Sequence, residues 1–84
     1  MLLRFTPQGW EDYCHWVGED RKMARRINVL INDVMRSPFA GLGKPEPLKH
    51  MLQGCWSRRI DGGHRLVYSV DDTGITVHQC RFHY

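Results

Sequence analysis

The stretch Trp56–Tyr68 reads WSRRIDGGHRLVY, and the turn sequence Asp61-Gly62-Gly63 lies at its centre. Strand-forming residues on both sides of a short glycine-containing segment are typical of a β-hairpin. A three-residue loop would place Arg59 opposite Arg65 and collect the large apolar side chains on one face. A two-residue loop would put Arg59 opposite Leu66 and mix apolar and polar side chains on both faces. The three-residue loop is therefore the predicted register.

This register predicts two chemically different faces of the hairpin. The apolar face would carry Trp56, Ile60, Leu66, Tyr68 and Val70. The other face would carry Ser57, Arg59, Arg65, Val67 and Ser69. Directly opposed like charges destabilise a sheet unless an anion lies between them. The hairpin thus predicts a sheet with its core on one side and a cationic site on the other, unless both arginines simply pair with Asp61 and the following acidic turn.

Toward the N-terminus, a short strand and two helices are predicted. Leu2–Phe5 is the predicted strand, and Thr6 followed by Pro7 is typical of a helix start. Gly18 is predicted to end this first helix, and Asp20 is suited to cap the second.

Apolar residues recur at helical spacing in both helices. In the first helix they are Trp10, Tyr13, Cys14 and Val17, so Cys14 is predicted to lie in the core. In the second they are Met23, Ile27, Leu30, Ile31 and Val34, and Ser37-Pro38 ends the helix. The basic residues of the second helix are expected to face solvent, and they are Arg21, Lys22, Arg25 and Arg26.

After the hairpin, Asp71–Gly74 is a predicted turn and Ile75–Tyr84 a predicted closing strand. Alternation along that strand would place Arg81 and His83 on one face. The predicted order is β-α-α-β-β-β, in a single domain that spans residues 1–84. The fold class is α+β, with two helices packed on one face of a mostly antiparallel, twisted sheet.

A carboxylate stands out in the glycine- and proline-rich loop of residues 39–47. Glu46 lies between Pro45 and Pro47, and a residue before proline avoids the helical region of backbone conformation. Glu46 is therefore predicted to be extended and held in place.

Composition narrows the possible classes of protein. The 84 residues contain no apolar run long enough for a membrane span, and the N-terminal residues argue against a secretion signal. Three widely separated cysteines without a C-x-x-C pair favour a reducing, cytoplasmic setting and predict no metal site. The net charge is +3, and residues 44–66 account for all of it, with five Lys or Arg against two Asp or Glu. A mildly basic segment permits contact with phosphate but is also common on solvated surfaces.

One carboxylate, one histidine and several cations can cleave RNA without a metal or other cofactor. RNA supplies its own nucleophile, the 2′-hydroxyl, so cleavage needs a base, an acid and cations around the phosphate. Glu46 is the candidate base and His83 the candidate acid. Arg59 and Arg65 are candidate phosphate ligands, and Lys49 adds a further charge. The alternatives are a non-enzymatic basic module that binds DNA or another target, and a structural subunit that docks an acidic partner.

The same residues carry a resemblance to a known family. The matching stretches are Trp10 with Asp12-Tyr13, Ile27-Asn28, Leu30-Ile31, Pro38-Phe39, Gly43–His50, Trp56–Ile60, His64–Tyr68, Cys80-Arg81 and His83-Tyr84. In these stretches the chain resembles the YoeB/Txe family of bacterial toxins, within the RelE-like superfamily.

The resemblance implies a compact toxin fold and an endoribonuclease that cuts messenger RNA in the ribosomal A site. It implies that Glu46 is the general base, His83 the general acid, and Arg65, with Arg59 and Lys49, the phosphate ligands. Tyr84 would help to shape the site through its ring or its terminal carboxylate. The resemblance further implies a cognate antitoxin, toxin dimers and operator DNA bound by the toxin–antitoxin complex. Because the superfamily fold also occurs in toxins that act on DNA gyrase, the fold alone leaves the binding alternative open.

Overall fold

The structure is a computed structural model that describes residues 1–83. Its elements are β1 (Leu2–Phe5), α1 (Pro7–Glu19), α2 (Arg21–Arg36), β2 (Glu46–Pro47), a short 3₁₀ turn (His50–Leu52), β3 (Cys55–Arg59), β4 (Arg65–Val70) and β5 (Gly74–Gln79). The five strands form one sheet in the order β1-β5-β4-β3-β2. The predicted α+β class is confirmed, and the additional strand β2 comes from the segment predicted as a loop.

The hairpin has the predicted register. Arg59 lies opposite Arg65, and the backbone N–H of Ile60 donates a 3.0 Å hydrogen bond to the carbonyl of His64. The other neighbouring strands also pair antiparallel, except that β1 pairs parallel with β5. β1 lies at the edge of the sheet beside β5, and α1 and α2 separate it in sequence from the remaining strands. The turn sequence Asp61-Gly62-Gly63 thus correctly predicts the antiparallel pairing of β3 and β4.

The predicted caps of the helices are confirmed, and one predicted boundary is wrong. The Thr6 hydroxyl accepts a 3.0 Å hydrogen bond from the N–H of Gly9, and Asp20 accepts from the first N–H groups of α2. Gly18 does not end α1, which continues to Glu19. Asp20 both ends α1, through its N–H bond to the Trp16 carbonyl, and begins α2.

The predicted apolar face of α1 is also wrong. The buried residues of α1 are Gly9, Asp12 and Trp16, whereas Trp10 and Cys14 are exposed. A Cβ atom on Gly9 would lie 2.4 Å from the carbonyl oxygen of β5 residue 77, so the helix packs too closely on the sheet for a large side chain there. Polar bonds to the segment after β5 then fix α1, as described below, and periodicity of apolar residues does not report such bonds.

The core prediction for α2 is confirmed. Ile27, Leu30 and Val34 are completely buried, and they pack against Leu66 and Tyr68 of β4. Complete burial of an aliphatic side chain of this size stabilises the fold by about 1.5–3 kcal/mol. Neither described helix is long and apolar enough to cross a membrane.

The C-terminal segment departs from the predicted strand. β5 ends at Gln79, and Phe82 has a positive φ of 66°, so alternation does not set the direction of His83. The strand ends because Cys80 is drawn into the core, where Asp12 accepts from its N–H at 3.1 Å and the Trp16 indole donates to its carbonyl at 2.8 Å. The predicted end of the strand at Tyr84 lies outside the described residues.

Candidate active site

Arg58 is the largest departure from the sequence-based expectation for the hairpin. By register it belongs to the face that packs on the helices, and its side chain is completely buried. Its guanidinium donates to the carboxylate of Asp33, the hydroxyl of Tyr68 and three carbonyls, those of Ser37, Ala40 and Leu42. Arg58 therefore does not contribute to the cationic surface, although it stands in the basic segment.

Asp33 and Tyr68 complete this buried network. The N–H of Leu42 donates to Asp33, and together with the hydrogen bonds from Arg58 and Arg36 it lowers the pKa of the carboxyl to about 2. The Tyr68 hydroxyl donates to the carbonyl of residue 38 at 2.6 Å, and burial raises the pKa of Tyr68. The network thus binds the backbone of residues 37–42 to the sheet, immediately before the segment that carries Glu46.

Gly41 is required by this packing. Its φ is +123°, and a Cβ atom there would lie 2.2 Å from the Asp33 carboxylate. A side chain would displace the carboxylate from Arg58, so the loop and the buried ion pair depend on the same glycine.

Glu46 is held by the edge strand β2. It lies opposite Ser57 of β3, which in turn lies opposite Val67 of β4, so these three side chains share one face of the sheet. This is the face away from the helices, and it also carries Arg59 and Arg65. Neighbouring strands are about 4.8 Å apart and alternate residues about 7 Å apart, so the long side chains of Glu46 and the two arginines surround the same area of the sheet.

Arg59 and Arg65 differ in exposure, and within the described residues neither has a carboxylate partner. Arg59 is exposed, whereas Arg65 is only 9% exposed and donates from Nη1 to the carbonyls of Asp61 and His64 at 2.9 and 3.1 Å. The Asp61 carboxylate instead accepts from the N–H groups of Gly63 and His64. Within residues 1–83 neither arginine forms a salt bridge, so the alternative in which both pair with the acidic turn residues is wrong.

Lys49 lies on the other side of Glu46 from the arginines. Glu46 and Lys49 line a cavity of about 360 Å³ together with residues 47, 48, 50 and 52. Arg59 and Arg65 line a separate cavity of about 450 Å³ at the tip of the hairpin. The predicted phosphate ligands therefore flank Glu46 rather than share one pocket.

His83 follows a segment that is bound to the start of β4. The N–H of Arg65 donates to the carbonyl of Phe82 at 3.0 Å, and the N–H of Phe82 donates to Nδ1 of His64 at 2.7 Å. The His64 ring also packs edge-on against Trp16, with 4.8 Å between ring centroids. His83 is exposed and lines a cavity that Asp12 and Phe82 also line. The backbone thus brings His83 next to Arg65, while Tyr84 lies outside the described residues.

His64 was assigned no role from the sequence. Five histidines and no fixed spacing gave no reason to single it out. Its position directly after the hairpin turn was the available signal, because the strand that follows the turn, β4, pairs with the final strand β5.

The cysteines and histidines do not converge. In the described part of the chain, no three side chains of His, Cys, Asp or Glu are arranged to hold a metal ion. Burial raises the pKa of Cys80 to about 12, which disfavours the thiolate that a metal would need.

Comparison with known proteins identifies the family of the chain. Residues 5–84 match the family described as "YoeB-like toxin of bacterial type II toxin-antitoxin system". Toxin YoeB of Streptomyces coelicolor is 57% identical over 84 residues, which cover all of both chains. The chain belongs to the YoeB family. It is therefore a toxin of a bacterial type II toxin–antitoxin system.

Solved structures of this family have the same fold. The YoeB/ParE toxin from Agrobacterium tumefaciens superposes with a TM-score of 0.97 at 51% identity and covers all of both chains. The toxin in the YoeB–YefM complex from Staphylococcus aureus superposes with a TM-score of 0.92 at 44% identity, covering 100% of this chain and 98% of that one. A toxin chain of the YoeB dimer from Staphylococcus aureus superposes with a TM-score of 0.93 at 45% identity, covering 100% of this chain and 98% of that one.

Proposed function

We propose that this toxin is a metal-independent endoribonuclease that cuts messenger RNA in the ribosomal A site and so inhibits translation in the cytoplasm. The observation that supports this most strongly is the register of the sheet, in which Glu46 shares one face with Arg59 and Arg65. A carboxylate on the same face of the sheet as two arginines is suited to a phosphodiester that has to be both bound and attacked.

In the proposed reaction, Glu46 removes the proton of the 2′-hydroxyl, and the resulting oxygen attacks the adjacent phosphorus. Arg65, with Arg59 and Lys49, stabilises the charge that develops on the phosphate oxygens. The bond from phosphorus to the 5′-oxygen breaks, and His83 donates a proton to that leaving oxygen. The products are a 2′,3′-cyclic phosphate and a 5′-hydroxyl, so atoms and charges balance without a cofactor. Tyr84 is proposed to shape the site.

The ribosome is proposed to hold the messenger RNA for this enzyme. The net charge of +3 is small for a protein that must grip RNA by itself, because backbone affinity grows with the number of phosphates neutralised. The 30S A site would supply the missing affinity and would present one codon to Glu46, Arg59 and Arg65.

The relatives suggest further partners. By analogy with the YoeB–YefM complex and the YoeB dimer from Staphylococcus aureus, this toxin is proposed to bind a cognate antitoxin and to form a homodimer. The toxin–antitoxin complex is proposed to bind operator DNA.

The test is cleavage of messenger RNA by purified toxin, with and without programmed ribosomes, followed by mapping of both product ends. Glu46→Gln and His83→Gln are each expected to slow cleavage by about 10²- to 10⁴-fold. Glu11→Gln and His15→Gln, which change the same residue types on α1, should leave the rate unchanged. Full cleavage by both site variants would disprove the acid–base assignment. Arrest of translation without any cleavage by the wild type would favour the non-enzymatic binding alternative.

A further inference from the structure

A cationic cleft extends from the candidate active site toward α2. It has a volume of about 450 Å³, and its walls are α2, the loop at residues 43–44 and the tip of the hairpin. Arg59 and Arg65 of the candidate site line it, together with Arg26 of α2 and Lys44 of the loop. Arg26, which is predicted to face solvent, is half-buried and lines this cleft.

The charges of this cleft are not compensated within the described residues. Four cations meet one carboxylate, that of Asp61, which already accepts from two backbone N–H groups of the turn. Every salt bridge in residues 1–83 involves an arginine that does not line the cleft, namely Arg4, Arg36 or Arg58. Gathering like charges in one concave site raises the free energy of the empty protein and favours an anionic ligand.

The fold holds Lys44 firmly at this cleft. Lys44 has a positive φ of 53°, which is uncommon for a residue with a side chain, and the carbonyl of the preceding Gly43 accepts a 2.6 Å hydrogen bond from the N–H of Arg59. A Cβ atom on Gly43 would lie 2.9 Å from the Arg59 carbonyl and 3.1 Å from Leu30. Because Leu30 is one helical turn after Arg26, the same packing sets the separation of Arg26 and Lys44.

We propose that Arg26 and Lys44 bind a phosphate of the RNA strand adjacent to the phosphate that is cleaved. This inference rests on the proposed endoribonuclease function, because it places the neighbouring nucleotide of the same strand in the cleft. Guanidinium and ammonium groups without internal partners are suited to phosphate, and the cleft is contiguous with the two arginines of the candidate site. The open volume and the absence of an aromatic side chain in its lining favour contact with the sugar–phosphate backbone over stacking of a base.

The test measures binding separately from cleavage. Purified toxin is titrated with a fully 2′-O-methylated RNA oligonucleotide, which lacks the nucleophile and cannot be cut, at several KCl concentrations. The double variant Arg26→Gln/Lys44→Gln is compared with Lys22→Gln/Arg25→Gln, which removes the same charge from exposed positions of α2. The plot of log affinity against log salt should be shallower for the first variant by about 0.7, the value for one phosphate contact to a single strand.

Equal salt slopes for the two double variants would overturn the proposal. The proposal would also be overturned if Arg26→Gln/Lys44→Gln abolished binding of a glutamate-rich peptide but left binding of the RNA unchanged. The cleft would then bind an acidic protein segment. Cleavage by the wild type on programmed ribosomes tests the proposed function independently, since the methylated RNA reports binding even if the protein cuts nothing. Thermal unfolding of each variant verifies that the fold is intact.

Discussion

Arg58 and Arg59 are neighbours on β3, yet the two sides of the sheet use them in opposite ways. On the side of the helices, Arg58 is completely buried, and its guanidinium makes five hydrogen bonds, one of them to the carboxylate of Asp33. On the side away from the helices, Arg59 is exposed and forms no salt bridge within the described residues. A full set of internal partners indicates a role in the fold, and the lack of them indicates a role toward a ligand.

This difference explains how so small a domain can hold a charged site. Residues 37–42 contain little secondary structure, and a loop of this kind is ordinarily mobile. Arg58 replaces the missing backbone pairing with bonds to three carbonyls of that loop. The buried side thus supplies the rigidity that keeps Glu46, Arg59 and Arg65 in place on the other face of the sheet.

The largest expected effect is on stability, when the buried arginine is removed. Arg58→Met leaves the Asp33 carboxylate without its buried partner and the carbonyls of the loop without donors. We expect the free energy of unfolding to fall by about 3–5 kcal/mol, as for other broken buried ion pairs. Urea unfolding followed by tryptophan fluorescence measures this loss. If Arg58→Met does not fold, Arg58→Lys, which keeps the charge but not the five donors, should still show a clear loss.

Arg59→Met is the matched control, since it makes the same change one residue away. Its free energy of unfolding should stay within about 0.5 kcal/mol of the wild type. Its cleavage rate on programmed ribosomes should fall by about 10- to 100-fold, the value of one charged hydrogen bond to the phosphate. If the two variants lost similar stability, the distinction between the two sides of the sheet would be wrong.

Much of the fold was predictable from the sequence because local signals set it. The Thr6 and Asp20 caps and the three-residue hairpin loop are each encoded within a few residues, and the structure has all three. The predicted buried face of α1 is wrong because hydrogen bonds to Cys80, which lies more than 60 residues later, fix Asp12 and Trp16. Periodicity detects apolar burial and not such long-range hydrogen bonds.

The candidate site was less predictable than the fold. Strand alternation correctly put Arg59 and Arg65 on one face, but it failed beyond Gln79, where the chain leaves the strand to bury Cys80. Arg58 was counted with the surface charge because its burial depends on Asp33, which is 25 residues away in another element. A charge seldom lies in a core unless it is paired, and a single sequence does not show the pair.

A smaller effect is expected from His64, which holds the segment before His83. His64→Leu removes the acceptor for the N–H of Phe82 and should let the C-terminal segment shift. We expect kcat on programmed ribosomes to fall by about 10- to 100-fold, as for other small displacements of a catalytic group. KM should change little, because the arginines proposed to bind the phosphate are not altered.

His64→Asn separates the hydrogen bond from the packing. Both variants lose the ring contact with Trp16, but the asparagine side chain carries an acceptor oxygen where the histidine has Nδ1. His64→Asn should therefore regain most of the lost kcat at a stability similar to that of His64→Leu. Equal kcat values for the two variants would show that His64 acts only through packing.

The dependence of stability on pH sharpens the comparison of buried and exposed charge. The pKa values of Asp33 and Asp71 are both lowered from 3.8 to about 2, Asp33 chiefly by the N–H of Leu42 and Asp71 chiefly by the hydroxyl of Thr73. A carboxyl whose pKa is lower in the folded state stabilises the fold above the pKa of the unfolded chain. This contribution is complete above about pH 4 and is lost as the pH falls toward 2.

Asp33→Asn and Asp71→Asn should each flatten the dependence of the urea midpoint on pH in that window. At neutral pH the two variants should differ. Asp33→Asn removes the charge that faces the buried Arg58, whereas Asp71 is an exposed turn residue whose salt bridge with Arg4 is largely screened by solvent. Asp33→Asn should therefore lower the neutral-pH midpoint more than Asp71→Asn does. Equal losses at neutral pH would mean that the environment of Arg58 is as well solvated as the surface, which its complete burial contradicts.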